Sequence, residues 1–374
     1  TVPRPGRLNL DELPWPDRDD INYSIQPLPM ASIIGGRGCP YRCSFCSIIN
    51  FYEGNQTHGR RRRDPIKIVN EIEYLRHERG VRILLWQDDD FLASGSRGID
   101  WSHAIAEECI RRGLHHDMRW KISCRSDEIR PDVLEPLVEA GLAHVYLGVE
   151  SGDPINLANM NKMETAEDHL RAGELLRQLN LSFDFGFMLL EPWSNFSTLR
   201  NNITFLRIFT GDGAAVVGFV RLLPYVGTSI HQRLVEERRL SPHDIDADYT
   251  FLDSRLDAFY NWVLTTFHER NHSPNGTFLL LRLLLFESNL DMPDMPVDPV
   301  LRGFVRRLTA VSNQITLDIL ENATDYLESV EEVHENDPVL ESLTQHAITQ
   351  DHQLRRDIGA LLNTYPGIQH RIHL

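Results

Sequence analysis

Cysteine is scarce in this chain, and long apolar runs are missing. Five cysteines in 374 residues are an odd number in a large chain, which excludes a disulfide framework. No stretch approaches the ~20 uninterrupted apolar residues of a membrane-spanning helix. The nearest, residues 278–286, carries Arg282 in its middle and reads as a buried helix. The sequence begins Thr1-Val-Pro-Arg-Pro, without an initiator Met or the charged-then-apolar pattern of a signal peptide, so a trimmed or partial chain is expected. Positive charge is short as well. The net charge is −16, and from Ser241 onward nine Lys and Arg face twenty-one Asp and Glu. A general nucleic-acid grip needs clustered positive charge and is therefore excluded. Arg60 to Arg63 form the one basic island, equally readable as a solvated loop or as an anion contact.

Three of the five cysteines lie together. Cys39, Cys43 and Cys46 follow a short apolar run in the stretch Gly35-Gly-Arg-Gly-Cys39-Pro-Tyr-Arg-Cys43-Ser-Phe45-Cys46. Three thiolates at this spacing can take three corners of a [4Fe–4S] cube, which normally takes four, and so leave one iron open. A zinc site is the rival reading, but zinc closes its shell with a fourth ligand, and His58 is the only near candidate. Cys109 and Cys124 read as small buried apolar residues. Unpaired thiols and an oxygen-sensitive cluster argue for a reducing cytoplasm.

Residues 1–29 are rich in Pro and Asp and predict an extended strap lying on a surface. From 30 to 240, β-type runs at 31–35, 82–87, 119–124, 144–149, 181–189 and 215–223 alternate with helical runs at 65–79, 101–112, 131–140, 166–179 and 197–209. Six β/α units in sequence predict an α/β fold, a parallel sheet curled into a partial barrel with its chemistry at the C-terminal strand ends. After Ser241 the strand signal fades. Val300, Phe304, Leu308, Val311 and Ile315 mark one face of a long helix, and Asp337-Pro338 precedes a last one, so 241–374 is expected to be a helical C-terminal domain.

Candidate site residues fall at those strand ends. Asp88-Asp89-Asp90-Phe91 puts three carboxylates in a row, which repel one another unless cations or donors face them. Arg125 either offers a guanidinium fork to a carboxylate or pairs with Asp127 or Glu128. Gly148-Val-Glu150-Ser151-Gly152 sets a carboxylate and a hydroxyl on a tight turn.

These segments, in this order, resemble the radical S-adenosylmethionine (radical SAM) superfamily, and in particular the catalytic part of its cobalamin-dependent members. The resemblance covers residues 8–260. It implies a (β/α)6 partial barrel of the TIM type, with Cys39, Cys43 and Cys46 holding a [4Fe–4S] cluster. S-adenosylmethionine (SAM) would then lie near Phe45, with its methionyl part by Asp88 or Asp89 and Arg125, its ribose on Glu150 and Ser151, and its adenine bordered by Tyr225 in the Pro224-x-x-Gly227-Thr228 turn. Relatives often carry Gly-Leu-Pro-Gly after the fifth strand. Here Leu190-Glu191-Pro192-Trp193 stands instead, so Glu191 and Trp193 are expected at the cavity rim. The implied activity is reductive cleavage of SAM to a 5′-deoxyadenosyl radical, then cobalamin-dependent methylation of an unactivated carbon in a small molecule or peptide, with flavodoxin or ferredoxin as electron donor. The alternative is a cobalamin-independent rearrangement, cyclisation or oxidation. The strap resembles the linker that joins a cobalamin-binding domain to the barrel in the cobalamin-dependent members, and that domain is expected to be missing from these residues.

Overall fold

The computed structural model describes residues 9–19, 21–23, 28–53, 60–92, 95–241, 248–294, 296, 298–334 and 336–368. His58, and with it the fourth ligand of the zinc reading, lies outside them. Six parallel strands, β1 (Met30–Ile33), β4 (Ile83–Trp86), β5 (Arg119–Arg125), β6 (Leu142–Glu150), β7 (Ser182–Leu190) and β8 (Val220–Arg221), pair in chain order into one sheet curled as a half-barrel. A separate two-stranded antiparallel pair, β2 (Gly36–Arg37) with β3 (Arg61–Arg62), comes between β1 and β4 in the chain.

Helices cross over between the strands: α1 (Ser47–Glu53), α2 (Pro65–His77), α3 (Ser96–Arg111), α4 (Pro131–Glu139), α5 (Pro154–Asn159), α6 (Ala166–Gln178) and α7 (Phe196–Thr210). Their starts are written locally. Asp64 and Asp153 each precede a Pro and accept hydrogen bonds from the first free amides of α2 and α5. Thr165 with Asp168, and Asn195 with Thr198, close capping boxes on α6 and α7. Alternate strand residues, among them Trp120, Ile122, Val145, Leu147 and Phe183, are buried in the core. Lys121, Tyr146, Gly148, Asp184 and Gly186 are the half-buried alternates and line the inner face.

Strap residues Leu10 and Tyr23 are buried; Trp15 meets the Tyr74 ring, and Arg18 donates to Ser32 O and Glu71. The C-terminal region contains α8 (Ser229–Glu236), α9 (Ser254–Thr266), α10 (His268–His272), α11 (Thr277–Glu287), α12 (Pro299–Ser329) and α13 (Pro338–Thr364). No helix among the described residues is long and apolar enough to cross a membrane.

One expected strand is mostly absent. Of the run 215–223 only Val220–Arg221 pairs with β7. The reason is Asn313 of α12: its amide donates to Thr210 O and Ala215 O, and its carbonyl accepts the Val217 N–H. Arg270 takes Val217 O as well. Side chains from the helical region therefore satisfy a backbone that would otherwise need a ladder.

Candidate active site

The cysteine loop leaves the C-terminal end of β1 beside the end of β4, where the three acids stand. Asp88 Oδ2 accepts the Gly35 N–H at 2.9 Å, and Asp89 Oδ2 accepts the Gly38 N–H at 2.7 Å and the Tyr52 hydroxyl at 3.2 Å. Asp90 Oδ2 lies 3.9 Å from Cys39 Sγ. All three carboxylates therefore face the cysteine loop. Burial pushes Asp88 up to about 6, against the pull of Arg60, whose guanidinium sits 2.7 Å from Asp88 Oδ1. Gly38 has φ +93°, which a side chain would resist.

The basic island is folded inward. Arg60 pairs with Asp88, Arg63 pairs with Glu71 at 2.7 Å, and the Arg60 and Arg62 guanidinium groups lie over the Trp101 ring. It is a structural brace.

The far end of the loop is anchored across the mouth of the half-barrel. Ser44 N–H and hydroxyl donate to Met160 O and Asn159 O, both at 2.8 Å, and Asn161 donates to Arg42 O at 2.6 Å. Tyr41 hydroxyl donates to Glu128 at 3.0 Å. The three cysteines are half-buried. Burial raises all three thiols, Cys39 to about 12 with Asp90 adding to the rise, while Lys162 and Arg125 draw Cys43 down. Three thiols on one loop clamped at both ends match, in residue type, the ligands of a cluster that would take three protein sulfurs.

Below the loop, Glu150 closes β6 with φ +67°, a left-handed conformation rare outside glycine, at a break in the β6–β7 register. The bulge turns its carboxylate toward Lys162, 3.9 Å away; Lys162 in turn lies 3.2 Å from Glu164. Burial raises Glu150, and the Lys162 and Arg125 cations oppose it. Arg125 forks onto Asp127 at 3.0 and 3.2 Å, donates to Lys162 O at 2.9 Å and stacks 3.8 Å from the Tyr41 ring. Its other terminal nitrogen is buried without a partner among the described residues.

The candidates thus divide. Cys39, Cys43, Cys46, Asp88, Asp89, Arg125 and Glu150 gather at one end of the sheet. Phe45 packs partly buried against the core. Ser151 is fully buried, its hydroxyl donating to Asn202 Oδ1 at 2.8 Å and accepting the Asp153 N–H. Tyr225 is exposed on the turn before α8, and that turn is tied to α1 by the Asn50 amide on Gly227 O. Glu191 corrects an expectation. It is fully buried and accepts from Asn159 and the Trp193 N–H, so it closes the turn after β7 instead of facing a cavity. Trp193 is held by Glu237 and by Arg233, 3.6 Å over its ring.

Residues 33–201, spanning the cysteine loop, the β4 acids and Glu150, match the model of the Radical SAM superfamily. That stretch, a little under half of the chain, is similar to radical SAM domains. Similar proteins include the anaerobic magnesium-protoporphyrin IX monomethyl ester cyclase of Cereibacter sphaeroides, 33% identical over 45% of this chain and 27% of the relative. The hopanoid C-3 methylase of Methylococcus capsulatus is 28% identical over 71% of this chain and 50% of that protein. The chain therefore spans half or less of the length of these relatives. Among solved structures, the cobalamin-dependent SAM radical enzyme OxsB superposes with a TM-score of 0.67 at 15% identity, over 98% of this chain and 60% of that one. At that identity the likeness shows the fold.

Two parts of the half-barrel's interior carry little sequence signal. Lys162 and Glu164 arrive from the loop between α5 and α6, in no motif beyond a lone basic and a lone acidic residue. Further down the inner face, Lys121, His144 and Asp184 meet Arg282 of α11. Only the charged residue inside an apolar run, at 282, hinted at the second group.

Proposed function

We propose that the domain binds a [4Fe–4S] cluster on Cys39, Cys43 and Cys46, with SAM at the open iron, and catalyses cobalamin-dependent methylation of an unactivated carbon in a small molecule or peptide. The observation that carries this reading is the cysteine loop clamped over the β4 and β6 ends, with Glu150 held in a left-handed turn beside it. When bound, the cluster supplies one electron and SAM the group that abstracts hydrogen. The chain does the rest. Asp88 and Asp89 hold the loop amides in register, and Arg125 with Lys162 sets positive charge near Cys43 and where a methionyl carboxylate would lie. Glu150 would take the ribose hydroxyls, with Ser151 holding its turn through Asn202, and Phe45 and Tyr225 would flank the cofactor. Flavodoxin or ferredoxin is the proposed electron donor and a reducing cytoplasm the proposed setting. Methylases among the relatives support methyl transfer. The cyclase name, on the other side, favours a second reading in which the same radical chemistry drives cyclisation.

The test is anaerobic reconstitution with iron and sulfide, then reduction with SAM and an assay for 5′-deoxyadenosine, with and without cobalamin. Deoxyadenosine that disappears in Cys43→Ala supports the radical reaction, and retained cobalamin supports methylation over cyclisation. Protein that takes up no iron, or stays colourless and holds zinc, overturns both.

A further inference from the structure

Inside the half-barrel, beneath the mouth, three cationic or ring nitrogens converge on one carboxylate oxygen. Asp184 Oδ2 lies 2.6 Å from Arg282 Nη2, 3.3 Å from His144 Nε2 and 3.9 Å from Lys121 Nζ. His144 is fully buried, its Nδ1 2.7 Å from Ser182 Oγ and its ring edge-on to Phe286; burial pushes its pKa down against the pull of Asp184, so at neutral pH the ring adds no charge. Two full cations then face one carboxylate, leaving one positive charge over in a chain whose net charge is −16. The exposure is unequal. The Lys121 and Arg282 side chains are each 29% exposed and Asp184 12%, so the two cations are more open to a ligand than the carboxylate between them.

A hydroxyl stands on the same inner face, nearer the mouth. The Lys121 ammonium lies 5.9 Å over the Tyr146 ring, and Tyr146 pairs in register with Asp184 on the adjacent strand. The Tyr146 hydroxyl lies 2.8 Å from where a Gly186 Cβ would stand, and Glu150 Oε2 lies 3.4 Å from the same point. Hydroxyl and carboxylate are therefore within about 6 Å of each other, and Gly186 keeps the space between them open. A column of polar groups runs from Glu150, beside the cysteine loop, down to Lys121 and Arg282.

We infer that this group is the seat of a carboxylate on the substrate, bound by Lys121 and Arg282 with the Tyr146 hydroxyl as a further donor. One surplus positive charge matches a monoanion, so a carboxylate fits better than a dianionic phosphate. Burying the ammonium beside Arg282 disfavours its charge, and an incoming carboxylate would offset that. The substrate is then an organic acid whose reacting carbon lies toward Glu150, above the seat. The inference rests on the proposed function only in placing the reacting carbon at the mouth.

The experiment is isothermal titration of the anaerobically reconstituted protein with octanoate, octanamide and octyl phosphate, which share a tail and differ in head group. Octanoate is expected to bind at least about tenfold more tightly than octanamide. Lys121→Gln is expected to bring that ratio close to one, Lys121→Arg to keep it, and Tyr146→Phe to reduce it several-fold. No octanoate binding, equal binding of octanoate and octanamide, or a preference surviving in Lys121→Gln overturns the seat. Octyl phosphate binding more tightly than octanoate overturns the monoanion assignment. If Lys121→Gln does not fold, the Lys121→Arg and Tyr146→Phe pair decides: a ratio unchanged in Tyr146→Phe and lost in Lys121→Arg overturns it. Deoxyadenosine formation by the unaltered protein is a separate measurement, so loss of the radical reading and loss of the seat are told apart.

Discussion

Asp88 and Arg60 form an ion pair at 2.7 Å, with side chains 0% and 3% exposed, and through it the start of β3 is fastened to the end of β4. The same Asp88 carboxylate holds Gly35 at the root of the cysteine loop. Breaking a buried pair on one side leaves a charge without compensation. Arg60→Met is therefore expected to destabilise the protein by about 3–5 kcal/mol. The Arg60→Met, Asp88→Asn double variant should recover much of that loss. Urea unfolding of the single and double variants checks it, and iron content per chain should fall with the single change.

Glu150 is the strained residue at the strand end. If it holds ribose hydroxyls, Glu150→Gln turns a charged acceptor into a neutral one. SAM affinity is then expected to drop about tenfold or more, since charge-assisted hydrogen bonds exceed neutral ones by about 1 kcal/mol or more. Equilibrium dialysis against labelled SAM reads it directly. Unchanged affinity would remove Glu150 from the cofactor site.

Asn313 serves three backbone groups at once, on Thr210, Ala215 and Val217, and is itself buried. Asn313→Ala takes that partner from the Ala215 carbonyl and the Val217 amide, while Thr210 O keeps the Gly213 N–H, at an expected cost of about 2–4 kcal/mol. The folded protein should then lose hydrogen-exchange protection at the Val217 amide first.

His169 carries a pH dependence. It is fully buried, its Nδ1 lies 2.8 Å from Ser126 Oγ, and burial, then Lys162, lowers its pKa to about 3. Unfolded, the ring takes up a proton near pH 6.5; folded, it does not. The neutral ring thus supports the fold fully above about pH 6.5, and the support is lost as pH falls from there toward 3, at roughly 1.4 kcal/mol per pH unit. Urea midpoints measured from pH 7 to pH 5 should fall for the natural protein and fall less for His169→Gln.

Much of this architecture was readable in the residues because its causes are local. Apolar runs of strand length, Asp-Pro caps and two capping boxes are short-range signals, and the helices expected at 65–79, 131–140, 166–179 and 197–209 lie within two residues of those observed. The cysteine spacing is local in the same sense. What could not be read depends on distant partners. The run 215–223 has the composition of a buried strand, and nothing in it shows that Asn313, about a hundred residues on, takes its hydrogen bonds. The acids at 88–90 could be placed at a strand end, but their attachment to Gly35, Gly38 and Arg60 needed the folded loop. Lys162 and Arg282 reach the inner face only because the α5–α6 loop and α11 pack against the sheet.

Arg282 has one more consequence. It grows from a helix late in the chain yet contributes to the inner wall that the early strands build. A protein cut after the last strand would lose a charge from its own chamber as well as a cover. If Arg282 and Lys121 seat the substrate, exchanging α11 would change selectivity while every early motif stayed in place. Engineering of selectivity has a handle there, far in sequence from the cysteines.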